Sequence, residues 1–155
     1  MTTSSRAVVT FATTEIYTLS LHDALPISSA AVAGAIEAAT RAGIIVAGTP
    51  VYRATYSGLL KVFFDLLPQD SLIGKIGVPL VTGHGAAHAL SVDHGLRPLF
   101  ASLGATVIAS GVYATSQQFT DGRPGHELLE AVDRAVAEAL ALATAGLSGP
   151  GLRGT

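Results

Sequence analysis

Apolar positions in this chain come in short unbroken runs set apart by glycine, proline and polar residues. The runs are Ala7–Phe11 (AVVTF), GIIVAGTP over 43–50, VPLV within KIGVPLVTGHG, and ATVIASGVYA over 105–114. None alternates with a period of two, the mark of a strand with one wet face. Each reads as a strand buried on both faces, as in a parallel sheet. Between the runs, apolar residues recur at helical spacing. Val32, Ile36 and Ala39 lie in a helix expected over 29–42, with Ser29 as its N-cap. Ser57 is the expected cap of a helix through GLLKVFFDLLP, which Pro68 stops. That helix is apolar nearly all round, through Leu59, Leu60, Val62, Phe63, Phe64, Leu66 and Leu67. One face should meet its own sheet and the other a second subunit. A further helix is expected over about 86–103. The last is expected over 126–145, with Leu129, Val132, Val136, Leu140 and Ala143 on one side. QQFTDGRPG reads as a turn-rich loop, and 147–155 as a frayed tail.

Strand, loop and helix in repeated order predict a doubly wound parallel α/β sheet in three α/β/α layers. In such sheets ligands sit at the carboxyl ends of the strands. The loops there are 49–58 and 82–88, so function is sought in them.

Composition narrows the classes. The 155 residues are enough for one domain with a core, and 49% are apolar against 13% charged. So dry a chain is expected to cover apolar surface with a partner subunit. The net charge of -2 comes without a basic patch, which argues against nucleic acid. Cysteine is absent, which removes disulfides, iron–sulfur clusters and thiol catalysis. No uncharged apolar run approaches the ~20 residues of a membrane span, and no apolar leader is evident. The expected location is the cytoplasm. His84 and His88 are four apart, but no carboxylate or further histidine completes a ligand set, so no metal site is expected. Lys61 and Arg97 read as a solvated or interface pair of cations, and Arg53 as an exposed loop arginine.

PVYRATYSGLLK after the second run, with TGHGAAH and VDHGLRP after the third, resembles the NADPH-dependent FMN reductases of the flavodoxin-like fold. The nearest branch resembles the reductases that supply free reduced FMN to alkanesulfonate monooxygenases, and so serve sulfur metabolism. The resemblance covers residues 29 to about 145. It implies a hydride transfer from NADPH or NADH to FMN, release of reduced flavin to a flavin-dependent monooxygenase, and a homodimer or homotetramer. Alternatives in the same superfamily are a flavin-bound quinone or azo reductase and a non-enzymatic electron-transfer module. Hydride transfer between two cofactors asks the protein to stack and orient them, so no catalytic triad is expected. By the same resemblance Pro50, Val51 and Tyr52 lie along the isoalloxazine. Thr82, Gly83, His84 and Gly85 bring N–H groups to its pyrimidine edge, where glycine permits close approach. Each loop taken alone also reads as an ordinary βα turn.

His94 stands where that branch carries an aromatic insertion, which makes a π-bulge at the subunit interface and is tied to flavin release. Pro98 cannot donate to the carbonyl of His94, so the helix there must widen or bend. A π-bulge and a plain proline-kinked helix with a surface histidine both satisfy the sequence.

The family's first strand is followed by a serine- and glycine-containing phosphate loop, a helix and a second strand. That motif is not present here; the first glycine is Gly34. Ala12–Ser28 instead resembles, codon by codon, the translation of a widely used sequencing adapter. Residues 1–28 are therefore expected to be a non-native N-terminus, 29–146 an N-terminally truncated flavodoxin-like domain, and 147–155 a flexible tail. Without the phosphate anchor, FMN binding should be weak, and the sheet should lack its second strand.

Overall fold

The computed structural model describes residues 7–11 and 30–146. The adapter-like segment, the Ser29 cap and the tail lie outside the described residues. Ala7–Phe11 is strand β1, inside the stretch assigned to a non-native N-terminus. Helix α1 spans Ala30–Arg41, β2 Ile44–Pro50, α2 Gly58–Leu66 and β3 Ile76–Gly83. A short 3-10 turn (Ala86–His88) and a π-helical turn (Val92–Leu96) lead into α3 (Arg97–Ala101). Then come β4 (Thr106–Val107), β5 (Val112–Thr115), the two-residue strands β6 (Phe119–Thr120) and β7 (Arg123–Pro124), and α4 (His126–Thr144).

Strands β1 to β5 are all parallel. Both β4 and β5 pair with β3, β4 along its start and β5 along its end, so they share one position. The five strands thus occupy four positions, β1, β2, β3 and β4/β5. No strand flanks β1 on its other side among the described residues. The expected single strand over 105–114 is broken at 108–111, and polar side chains hold the break. Arg97 donates to the carbonyls of Ile108 and Ala109, the latter at 2.6 Å, and to Asp93 at 2.6 Å. Glu138 accepts from the N–H of Ala109 (2.6 Å) and of Ser110 (2.8 Å). Arg97 is therefore a clip rather than one of a cation pair, and Lys61 is paired with Asp65 on α2.

The unalternating strand sequences are explained by two cores. Helices α1, α2 and α3 cover one face, where Ala39, Leu60, Phe64, Val92, Leu96 and Phe100 pack on Ile45, Ala47 and Val81. Phe64 and Phe100 meet edge to face at 5.2 Å. A Cβ on Gly77 would sit 2.7 Å from the Phe100 ring, so β3 carries a glycine there. Among the described residues helix α4 alone covers the other face, with Leu128, Ala135 and Ala139 on Ile44, Ile76, Val78, Ile108 and Val112. Of the expected stripe on the last helix, Val132 and Ala143 do pack against this core, and the other three residues do not. Leu129, Val136 and Leu140 are 47%, 47% and 49% exposed, and the buried stripe lies one residue earlier. The small Ala135 and Ala139 let the helix sit close to the sheet.

Two further expectations change. The continuous helix over 86–103 is instead the 3-10 turn, π-turn and short α3. The loop over 117–125 contains the antiparallel hairpin β6–β7, closed by Asp121 (φ 50°) and Gly122 (φ 74°). Asp-Gly is the residue pair that such a left-handed two-residue turn favours.

Candidate functional site

Two loops leave the carboxyl ends of β2 and β3 side by side. Thr49, 2% exposed, shapes the first. Its hydroxyl accepts the Ser57 N–H at 2.9 Å and donates to the Pro50 carbonyl at 3.0 Å. Ser57 caps α2 as expected, its Oγ accepting from the Leu60 N–H at 3.2 Å. Between them Tyr52 and Thr55 exchange backbone bonds of 2.8 and 3.0 Å. Arg53 (φ 47°) and Ala54 (φ 68°) make the turn, both in the left-handed region. The two loops are tied directly, because the Val51 N–H donates to the Thr82 carbonyl at 2.8 Å.

The second loop is held from below. The Tyr113 hydroxyl on β5 donates to the Gly85 carbonyl at 2.6 Å. A Cβ on Gly83 would overlap that hydroxyl and lie 2.8 Å from Cζ, so the chain can pass over the phenol only as glycine. The N–H groups of His84, Gly85 and Ala86 meet no protein acceptor among the described residues. They are donors in search of a ligand or water.

A cleft of ≈ 340 Å³ opens between the loops. Pro50, Val51, Tyr52, Thr82, Gly83, His84, Ala114, Thr115, Ser116 and Phe119 line it. Six of the seven residues named for flavin contact are on this wall, and Gly85, the seventh, is the Tyr113-anchored neighbour. Ala114–Ser116 and Phe119 were not foreseen. Ala114 and Thr115 are the carboxyl end of the next strand, Ser116 opens the 3-10 turn that follows it, and Phe119 rides on the Asp-Gly hairpin. Behind Pro50, Thr82, Ala114 and Phe119 a second cavity of ≈ 320 Å³ runs beneath α4, lined by Gly48, Leu80, Val112, Leu128, Leu129 and Val132. Its walls are apolar. Pro50, Tyr52 and Phe119 offer flat apolar surface and the glycine loop offers backbone donors, so the residues present fit a planar ring with one polar edge.

His94 is exposed within the π-turn, where the Arg97 N–H reaches back to the Val92 carbonyl. Of the two geometries open to the sequence, the chain adopts the widened one. The neighbouring Gly95 lets this turn press on the first loop, since a Cβ there would lie 2.8 Å from Thr55 Oγ1 and 3.2 Å from the Tyr56 ring. His88 serves through its carbonyl, which accepts from Ser91 Oγ at 2.6 Å.

A family model described as NADPH-dependent FMN reductase matches residues 7–120. The FMN reductase (NADPH) of Escherichia coli K12 is 51% identical over 79 residues, which are 51% of this chain and 41% of that protein. The NADH-dependent FMN reductase SfnF of Pseudomonas fluorescens Pf0-1 is 41% identical over 103 residues, 66% of this chain and 55% of that one. The match thus spans about half the length of these relatives. Among solved structures, an NADH:FMN oxidoreductase in its apo form aligns with a TM-score of 0.68 and 33% identity. That alignment covers 83% of this chain and 66% of the other. An oxidoreductase of Corynebacterium diphtheriae aligns with a TM-score of 0.65 and 32% identity, over 76% and 64%.

Proposed function

The chain belongs to the NADPH-dependent FMN reductase family, and from that premise we propose that its cleft holds the isoalloxazine of FMN while a reduced nicotinamide delivers hydride to it. One observation carries this: the Val51–Thr82 hydrogen bond that joins the two loops around a single cleft at the strand ends. FMN supplies the electron-accepting ring when bound. Pro50, Val51 and Tyr52 give that ring an apolar surface. The His84, Gly85 and Ala86 N–H groups face its polar edge, and Phe119 screens the side toward α4. No side chain need move a proton in the hydride step.

The finer reading rests on the resemblance of VDHGLRP and TGHG to the alkanesulfonate branch. In it reduced flavin leaves for a two-component monooxygenase, and the π-turn with His94 governs how firmly flavin is held. Relatives carry NADPH and NADH in their names, so either nucleotide suits the family. The assembly is proposed to be a homodimer or homotetramer, supported by the exposed Leu59 of α2. The cytoplasm is the proposed location, and the domain, whose family match begins at residue 7, is proposed to lack the phosphate loop.

Two measurements test this. Oxidation of NADPH or NADH by the purified chain should depend on added FMN, and reduced FMN should pass to an acceptor behind a membrane that retains protein. Tightly held flavin with ping-pong kinetics would instead favour a quinone reductase. Titration of FMN fluorescence should show weak binding, and sub-micromolar affinity would overturn the loss of the phosphate anchor.

A further inference from the structure

We infer that Tyr113 is a positioning residue for flavin recognition: its phenol sets the direction of the Gly85–Ala86 peptide, and so of a donor at the mouth of the cleft. This rests on the flavin reading above. Tyr113 does not line the cleft; it stands on β5, half-buried, opposite Val81 of β3. Its hydroxyl donates to the Gly85 carbonyl at 2.6 Å, the short distance of a well-formed O–H···O bond. The other bond to that carbonyl, from the His88 N–H, is long at 3.4 Å. The phenol is therefore the main hold on this peptide.

The described peptide bonds are all trans. In a trans peptide the C=O and the following N–H point in opposite directions. With the Gly85 carbonyl turned toward the phenol, the Ala86 N–H is turned away from it, at an exposed position and with no protein acceptor among the described residues. Glycine is the residue least able to hold a peptide plane by itself, because both signs of φ are open to it. Gly83 and Gly85 flank this segment, so the loop needs an outside anchor. The overlap between Tyr113 and any Cβ at Gly83 shows that the loop lies directly on that anchor. The ligand feature recognised is a carbonyl oxygen or ring nitrogen on the polar edge of a flat heteroaromatic ring, independent of any phosphate.

The test is Tyr113→Phe in the full chain, which removes the hydroxyl and keeps the ring. With reduced nicotinamide saturating, the KM for FMN should rise about tenfold, the effect of one hydrogen bond. The KM for riboflavin should rise by the same factor, and kcat should stay within about twofold. Backbone amide order parameters in the flavin-free protein should fall at 84–88 while those of β3 and β5 stay unchanged. Unchanged order parameters at 84–88 overturn the proposal. So does a KM effect on FMN that riboflavin does not share, which would place it at the phosphate. A fall spread evenly over β3 and β5 would also overturn it, by making Tyr113 a packing residue only. If the unsubstituted chain reduces neither flavin, the functional reading fails, and the order parameters at 84–88 still decide the role of Tyr113.

Discussion

Ala54 holds a left-handed conformation (φ 68°) in the two-residue turn beside the cleft, next to Arg53 at 47°. An L-residue there carries Cβ against the following carbonyl at a cost of about 1 kcal/mol. Ala54→Gly should therefore raise stability by about 1 kcal/mol, read as a higher urea midpoint with an unchanged slope; a lower midpoint would mean that the methyl packs usefully. Nothing in Arg-Ala marks such a turn, since Asn-Gly or Asp-Gly is its usual signature. The sequence therefore shows a loop here and not its shape. Gly83 is the opposite case. Its place in Thr-Gly-His-Gly signals close approach, but only the fold shows that the approaching group is Tyr113. Gly83→Ala forces the phenol or the loop to shift. It should cost about 2 kcal/mol of stability, as overpacking does, and should weaken flavin binding in a fluorescence titration. Unchanged values for both would show that the loop has slack.

At the scale of elements, the break between β4 and β5 is set by two side chains from neighbouring helices. Bonds from the Ser110 side chain, then from the Ala109 and Ser110 backbone, together with nearby Arg97, hold the Glu138 carboxyl below the ordinary glutamate range. A lowered folded-state value means that this stabilisation is fully present above the unfolded pKa, about 4.3. It is lost as pH falls through the lower folded value. Glu138→Gln should cost about 1 kcal/mol at neutral pH. The gap from the unsubstituted chain should close as pH drops below about 4, measured by urea unfolding at several pH values. A gap independent of pH would show that the charge has no part in it. Helix α4 itself was legible from its period, but the stripe facing the sheet was not. Leu129, Val136 and Leu140 repeat at the same spacing as Leu128, Ala135 and Ala139, only 100° round the helix. Size favoured the leucines, whereas the sheet accepted the alanines.

At the scale of the molecule, among the described residues, three helical segments crowd one face of the sheet and α4 stands alone on the other. The exposed flank of α4 and Leu59 of α2 leave apolar surface uncovered, in keeping with a chain whose mean hydropathy is +0.50. Leu59→Glu should leave the unfolding midpoint nearly unchanged, because exposed positions contribute within about 0.5 kcal/mol. It should shift sedimentation toward the monomer. A chain that is already monomeric at micromolar concentration would remove the case for assembly through α2. Parallel strands and a cleft at their carboxyl ends follow from sequence alone, because unalternating runs joined by helices build a parallel sheet with its loops gathered there. The family, too, is legible from motifs such as PVYRATYSG and TGHG. What the fold decided is every feature that depends on a group distant along the chain: the phenol under Gly83, the Arg97–Glu138 break, and the face α4 presents. Local periodicity records that a side chain is apolar, and only packing determines which apolar side chain is close enough to be buried.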